Sequence, residues 1–279
     1  MQQSVARKGH WTLGDIPWAE FDAAKVDRDI VKVVKAAAMV EHNGGDYATY
    51  LCSVFHDDPE FQVVSRQWAE EEVQHGQALA AWAKLADPSF DFDAAFKRFT
   101  DGFKIETGAK ASIRGSRAGE LVARCIVETG TSSYYAALKD AAAEPVLKEI
   151  CRNIAADELR HYKLFYDHLR RYLTHEKIGR WKRLAVVISR MRESEDDELA
   201  YAYYAANEPE TTRYDRRRYS KAYARRAYGF YRPSHVERGV AMALKAAGLT
   251  PNGRLNACLT KLGCWFLARR SRRLASAGA

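Results

Sequence analysis

Glu71-Glu72-Val73-Gln74-His75 and Asp157-Glu158-Leu159-Arg160-His161 repeat one pattern, an acid followed by Glu-x-x-His, and each copy has a lone Glu about thirty residues upstream. Glu41 stands 31 positions before Glu72, and Glu128 stands 30 before Glu158. A Glu and a His three residues apart lie on one helix face, close enough to grip one metal ion together. In an antiparallel helical hairpin, two residues face each other when they lie equally far from the turn. The turn signals Asp57-Asp58-Pro59 and Ala142 put the partners of each pair about fourteen and sixteen residues from their turn, a mismatch of only ~3 Å. Glu120, the rival for the third position, lies eight residues before Glu128 and misses that level by roughly 12 Å. The expected metal ligands are Glu41, Glu72, His75, Glu128, Glu158 and His161.

One Glu from each of two helices and Glu-x-x-His from each of the other two is the donor set of ferritin-like di-iron bundles. The fold class read from it is all-α: a ferritin-like four-helix bundle with a di-metal centre plus extra C-terminal helices. Four carboxylates and two imidazoles suit two iron ions, Fe2+ or Fe3+, and manganese accepts the same donors. A single Glu-x-x-His is weak evidence, since such a pair also occurs on solvated helix faces. Two copies at matching hairpin distances are hard to obtain otherwise, because core packing has no use for so many ionisable groups at one level. The preceding acids, Glu71 and Asp157, are either surface charges or acceptors for the second N–H of a metal-bound histidine. The second reading is preferred.

The remainder of the chain divides into three stretches. Residues 1–26, with Gly9, Gly14 and Pro17, read as an irregular arm, 27–210 as the bundle, and 211–279 as a basic helical extension. Helices are expected over roughly 28–56, 60–86, 91–103, 117–141, 144–174, 177–205, 211–230, 234–247 and 252–274, with 104–116 as the crossover between hairpins. Asn43-Gly44-Gly45 interrupts the first of these, either to let helices approach closely or to distort the chain beside the metals. No apolar run is long enough to span a bilayer, and the first residues lack the apolar core of a signal peptide, so a cytoplasmic location is expected, with peripheral membrane association open. The five cysteines show no Cys-x-x-Cys spacing and read as small core residues.

The motif stretches Trp68-Ala69-Glu70-Glu71-Glu72-Val73-Gln74-His75-Gly76 and Ile154-Ala155-Ala156-Asp157-Glu158-Leu159-Arg160-His161, with Glu128-Thr129-Gly130-Thr131, resemble the ligand helices of soluble acyl-carrier-protein desaturases. The resemblance covers approximately residues 28–195 and extends to bacterial ferritin-like relatives. It implies a centre that uses O2 to act on a fatty-acyl or similar long apolar substrate, by desaturation or oxygenation, with electrons from an external donor. It also makes Thr131 the expected catalytic residue, for oxygen handling or proton delivery. The competing expectation is an iron-handling or peroxide-scavenging protein of the ferritin and rubrerythrin kind. Absence of a Cys-x-x-Cys electron centre speaks against a self-contained rubrerythrin.

The extension is not part of that resemblance. Residues 211–279 hold sixteen lysines and arginines against Asp215 and Glu237, so they carry +14 of a net +8 and leave −6 on the first 210 residues. Residues 214–232 interleave five tyrosines with seven of these cations, and 255–266 places Leu255, Cys258, Leu259, Leu262, Trp265 and Phe266 along one helical side. Such a segment docks on the bundle, lies on an anionic membrane, or recruits an acidic carrier protein. Nucleic acid is disfavoured because no binding motif accompanies the charge. A second copy of the chain is a further expected partner.

Overall fold

A computed structural model describes residues 10–193 and 197–276, and among them the chain is helical with no strands. Eleven α-helices follow in order: α1 (Arg28–His42), α2 (Gly44–Val54), α3 (Pro59–Ala86), α4 (Phe92–Gly102), α5 (Arg117–Ala141), α6 (Pro145–Tyr172), α7 (Arg180–Arg192), α8 (Asp197–Asn207), α9 (Arg216–Ala227), α10 (Pro233–Ala246) and α11 (Arg254–Ser276). The all-α expectation holds, and the two hairpins form as the spacing required. Asp58 caps α3 by accepting from the Phe61 N–H, with Pro59 in the first turn, where its missing N–H costs nothing. Glu144 caps α6 by accepting from the Val146 and Leu147 N–H groups, again with a proline, Pro145, in the first turn.

Helices α1, α3, α5 and α6 form the bundle, with α1 paired to α3, α5 to α6, and α3 against α6. Two apolar clusters fill it. One takes Val33 to Met39, Ala78 to Ala83, Tyr134 to Leu138 and Ile150 to Ile154; the other takes Leu51 to Phe55, Phe61 to Ala69, Leu121 to Ile126 and Tyr162 to Leu169. On α3, α5 and α6 the predicted ligands fall in the gap between these clusters, and Glu41 stands just past the α1 part of the first. A layer of buried ionisable groups is thus held between two greasy layers, which supply the packing that such a polar layer lacks.

Two predicted helices are divided. The stretch 28–56 breaks at Asn43, whose φ of −81° and ψ of 7° end α1 and start α2. A Cβ added to Gly44 would stand 2.6 Å from the Glu72 Cβ, so the glycine lets α2 close on α3 beside a ligand. Close packing and a local break are therefore both present. The stretch 177–205 is resolved into α7 and α8, and residues 194–196 lie outside the described ones.

Outside the bundle, α8 and α9 lie on α1, α10 lies on α5, and α11 lies on α10 and α9. The arm of residues 10–26 is irregular apart from three short 3-10 turns. It is nonetheless fastened, since the Asp22 N–H donates to the buried Glu144, which also accepts from the Trp82 indole at 2.7 Å.

Lys35 is a buried cation on α1, 2.6 Å from Asp87 beyond the end of α3 and 4.6 Å above the Phe90 ring. Hydrogen bonds from Lys35 and then Ser89 hold the Asp87 carboxyl at about 2. A depressed carboxylate stabilises the fold above its unfolded value near 4, and that contribution is lost as pH falls from about 4 through 2. Asp87→Asn is expected to lose about 1 kcal/mol at pH 7, a figure discounted because Asp87 is a third exposed. Urea unfolding at pH 7 and pH 3 checks this: the gap between variant and wild type should shrink at the acid value.

Candidate metal centre

The structure brings all six predicted ligands together and buries every one of them. They form two groups of four. Glu41, Glu72, His75 and Glu158 have ligand atoms within 4.8 Å of one another, as do Glu72, Glu128, Glu158 and His161. Glu72 and Glu158 belong to both groups, whereas Glu41 and His75 serve only the first and Glu128 and His161 only the second. That is the arrangement of two ions bridged by two carboxylates, each with one further carboxylate and one imidazole.

Each histidine is held from behind by the opposite motif helix. His75 Nε2 lies 3.0 Å from the Asp157 carboxylate, and His161 Nε2 lies 2.9 Å from that of Glu71. Donation of Nε2–H outward leaves Nδ1 facing the cluster with its lone pair. Arg160 ties the two acids together, reaching Asp157 at 2.7 Å and Glu71 at 3.2 Å. Thr131 donates to Glu158 at 2.6 Å, and Tyr135 donates to Glu41 at 2.6 Å. Glu120, the rejected rival, points elsewhere and accepts from Tyr50 and Ser112.

Two observations test whether metal ions fit this cluster. Both Nδ1 atoms, together with one oxygen each of Glu72, Glu128 and Glu158, are buried without a hydrogen bond. His161 Nδ1 comes within 3.0 Å of Glu72, yet the pair is not aligned as a hydrogen bond. Orphaned groups of this kind are costly unless something else satisfies them. The second observation is charge. Burial, and then the charge of Glu72, raises the Glu41 carboxyl well above the carboxylate range, and burial with the charge of Glu158 does the same to Glu128. Burial also pushes Glu72 upward, but the adjoining imidazoles of His161 and His75 overcome it and hold the group well below that range. Both imidazoles are raised despite burial, His75 by its bond to Asp157 and His161 by the adjoining Glu158 carboxylate and then by its bond to Glu71. These upward shifts reflect four carboxylates crowded into one buried layer. Two divalent cations would balance that negative charge, so donor set, orphaned atoms and charge all fit a di-metal centre.

Sequence reading missed the arm's part in the site. The Trp11 indole donates to Asp157 at 2.8 Å, its ring lies parallel to that of His75 with centroids 6.0 Å apart, and its carbonyl accepts from Gln74. His10 meets Glu71 at 3.2 Å. Neither residue sits in a periodic segment, so no pattern in the sequence points to them. Tyr135, which donates to Glu41, stands seven residues after Glu128 on α5.

No curated protein matches the chain. A family model described as fatty acid desaturase matches residues 22–193, a span that starts in the arm, contains all six ligands and stops at the end of α7. With that match over more than half its length, and a two-hairpin bundle converging on paired carboxylate and histidine clusters, the chain belongs to the fatty acid desaturase family.

Proposed function

We propose that the protein is an O2-dependent di-iron oxidoreductase that desaturates or oxygenates a fatty-acyl or similar long apolar chain. The observation that carries this reading is the pair of four-donor clusters sharing Glu72 and Glu158 in a chain of this family. Glu41 and His75 would hold one ion, Glu128 and His161 the other, and the two shared carboxylates would bridge them. Bound iron would supply reduction of O2 and removal of hydrogen from an unactivated carbon. The protein's own groups do the rest. Asp157 and Glu71 fix the tautomer and orientation of the two imidazoles. The apolar layers above and below keep water from the donor layer. Thr131, hydrogen-bonded to Glu158, can hold and pass a proton at the edge of the centre. Desaturation takes two hydrogens from the chain, and two further electrons and protons reduce O2 to two waters. The cysteines of the chain are all free thiols with no Cys-x-x-Cys pair, so those electrons come from an external donor.

The test is to load the protein with Fe(II), supply long-chain acyl thioesters, O2 and a chemical reductant, and analyse products by mass spectrometry. A product lighter by two hydrogens or heavier by one oxygen, absent with metal-free protein, is expected. Thr131→Ala should keep both ions but slow product formation on the order of 100-fold, the scale of one proton-transfer group. If the variant matches wild type in rate and in its optical transients after mixing with O2, Thr131 only packs.

A further inference from the structure

Helix α11 is attached to the protein through Asn256, Thr260 and Gly263, with Leu259 and Leu267 half-buried. Asn256 is buried and donates to the Pro251 carbonyl at 2.7 Å, Thr260 donates to Asn256, and Gly263 abuts Val236 of α10 so closely that a Cβ there would stand 2.9 Å from it. Its largest apolar side chains are left to solvent. Leu255, Leu262, Trp265 and Phe266 are 49%, 56%, 57% and 51% exposed, and positions 255, 262 and 266 fall on one stripe at helical spacing. An exposed stripe of leucine, phenylalanine and tryptophan on a water-facing helix calls for an occupant.

The charges around the stripe select among occupants. Arg254–Ser276 contains Arg254, Lys261, Arg269, Arg270, Arg272 and Arg273 and no acid. A second copy of the chain seated on this face by two-fold symmetry would set like cations against each other. Next to the helix, Arg216, Arg217, Ser220, Lys221 and Arg270 line an open cleft of about 470 Å³ between α9 and α11. A face combining an apolar stripe with cationic flanks matches a bilayer interface, where acyl chains take the stripe and anionic headgroups take the cations. Among the described residues no helix is long and apolar enough to cross a membrane, so the geometry is that of a helix lying on the surface.

We propose that α11, with the cationic cleft beside it, is a peripheral docking surface for an anionic membrane. The inference rests on the surface alone and is independent of the chemistry at the metal centre. Helix α10 joins this surface to the bundle. It packs on α5, the helix that carries Glu128, with Gly239 against Ser133 and the Met242 carbonyl accepting from Tyr162. The docked protein would therefore hold its centre at a fixed distance from the bilayer.

The test uses full-length protein, sedimented with vesicles of phosphatidylcholine or of an equal mixture of phosphatidylcholine and phosphatidylglycerol. Binding to the mixed vesicles is expected at low salt and should fall steeply as salt rises. Each cation at an anionic surface multiplies the partition roughly five-fold, so replacing Arg269, Arg272 and Arg273 with Gln should weaken binding on the order of 100-fold. Leu262→Ser with Phe266→Ser should weaken it at least ~10-fold by removing the inserting side chains, and these positions are exposed, so helix content and metal content should not change. Lipids brominated on their acyl chains should quench wild-type fluorescence more than that of Trp265→Phe, which keeps the apolar contact and loses the reporter. Three outcomes overturn the proposal: no binding to mixed vesicles at low salt, equal binding by the double serine variant, or a dimer that dissociates on those serine changes.

Discussion

Glu158→Gln protein is expected to purify with both metal positions empty, whereas Glu41→Gln and Glu128→Gln should each keep about half of the wild-type metal. The difference follows from membership. Glu158 serves both four-donor groups, and Glu41 and Glu128 serve one each. Glutamine keeps the volume of the side chain but offers no anionic bridge, so the loss reads on coordination and not on packing. Glu120→Gln is the control, because that carboxylate is buried nearby yet bonded to Tyr50 and Ser112. Elemental analysis of protein whose helix content is verified by circular dichroism decides the matter. Two ions per chain in Glu158→Gln would falsify the bridging assignment, and total loss in Glu41→Gln would show that the two positions fill only as a unit.

Gly76→Ala should be the most damaging single methyl group in the bundle. A Cβ at Gly76 would lie 2.6 Å from the His42 nitrogen, 2.7 Å from its Cβ and 2.8 Å from its Cα. These are backbone atoms or atoms fixed to backbone, so relief requires α1 and α3 to separate at the level where Glu41 and His75 meet. Overpacking of this sort costs roughly 3 kcal/mol, which lowers the melting temperature by about 5 °C for a chain of this size. The ion between Glu41 and His75 should be lost in preference to the other. Gly45→Ala provides the contrast, because its added Cβ meets nothing within 4 Å and its φ is not positive. There the methyl group should be neutral or stabilise by up to about 1 kcal/mol. Thermal unfolding of the two variants side by side tests both, and equal melting temperatures would show that the α1–α3 approach has slack.

The bundle and the convergence of its six candidate donors were legible because helix geometry is local. A rise per residue and a turn signal suffice to decide that Glu41 meets Glu72 and Glu128 meets Glu158, with no knowledge of the rest of the chain. The reciprocal bonds of Asp157 with His75 and Glu71 with His161 were also accessible, since each acid sits one position before a ligand. The contact of Trp11 with Asp157 spans 146 residues and comes from a segment without periodicity, so nothing local encodes it. Asn43-Gly44-Gly45 marked the interruption of the first helix, but that α3 stands close enough to require Gly44 is a tertiary fact. Sequence showed the apolar stripe of α11 but not its exposure, because periodicity reveals a greasy side without revealing what lies against it. The helix turned out to be fastened through Asn256, Thr260 and Gly263, residues that an apolar count passes over.

The cover over α1 has a consequence for the order in which the protein is made. Tyr223 of α9 is half-buried on the Glu41 flank of α1, and burial raises its phenol to about 12. Helices α8 and α9 close this flank, and both are translated only after His161, the last of the six donors. The residues of the donor layer are therefore all joined into the chain before those of its cover. A bundle that folded in that order would have its Glu41 side open to water and dissolved ions until α8 and α9 packed on α1.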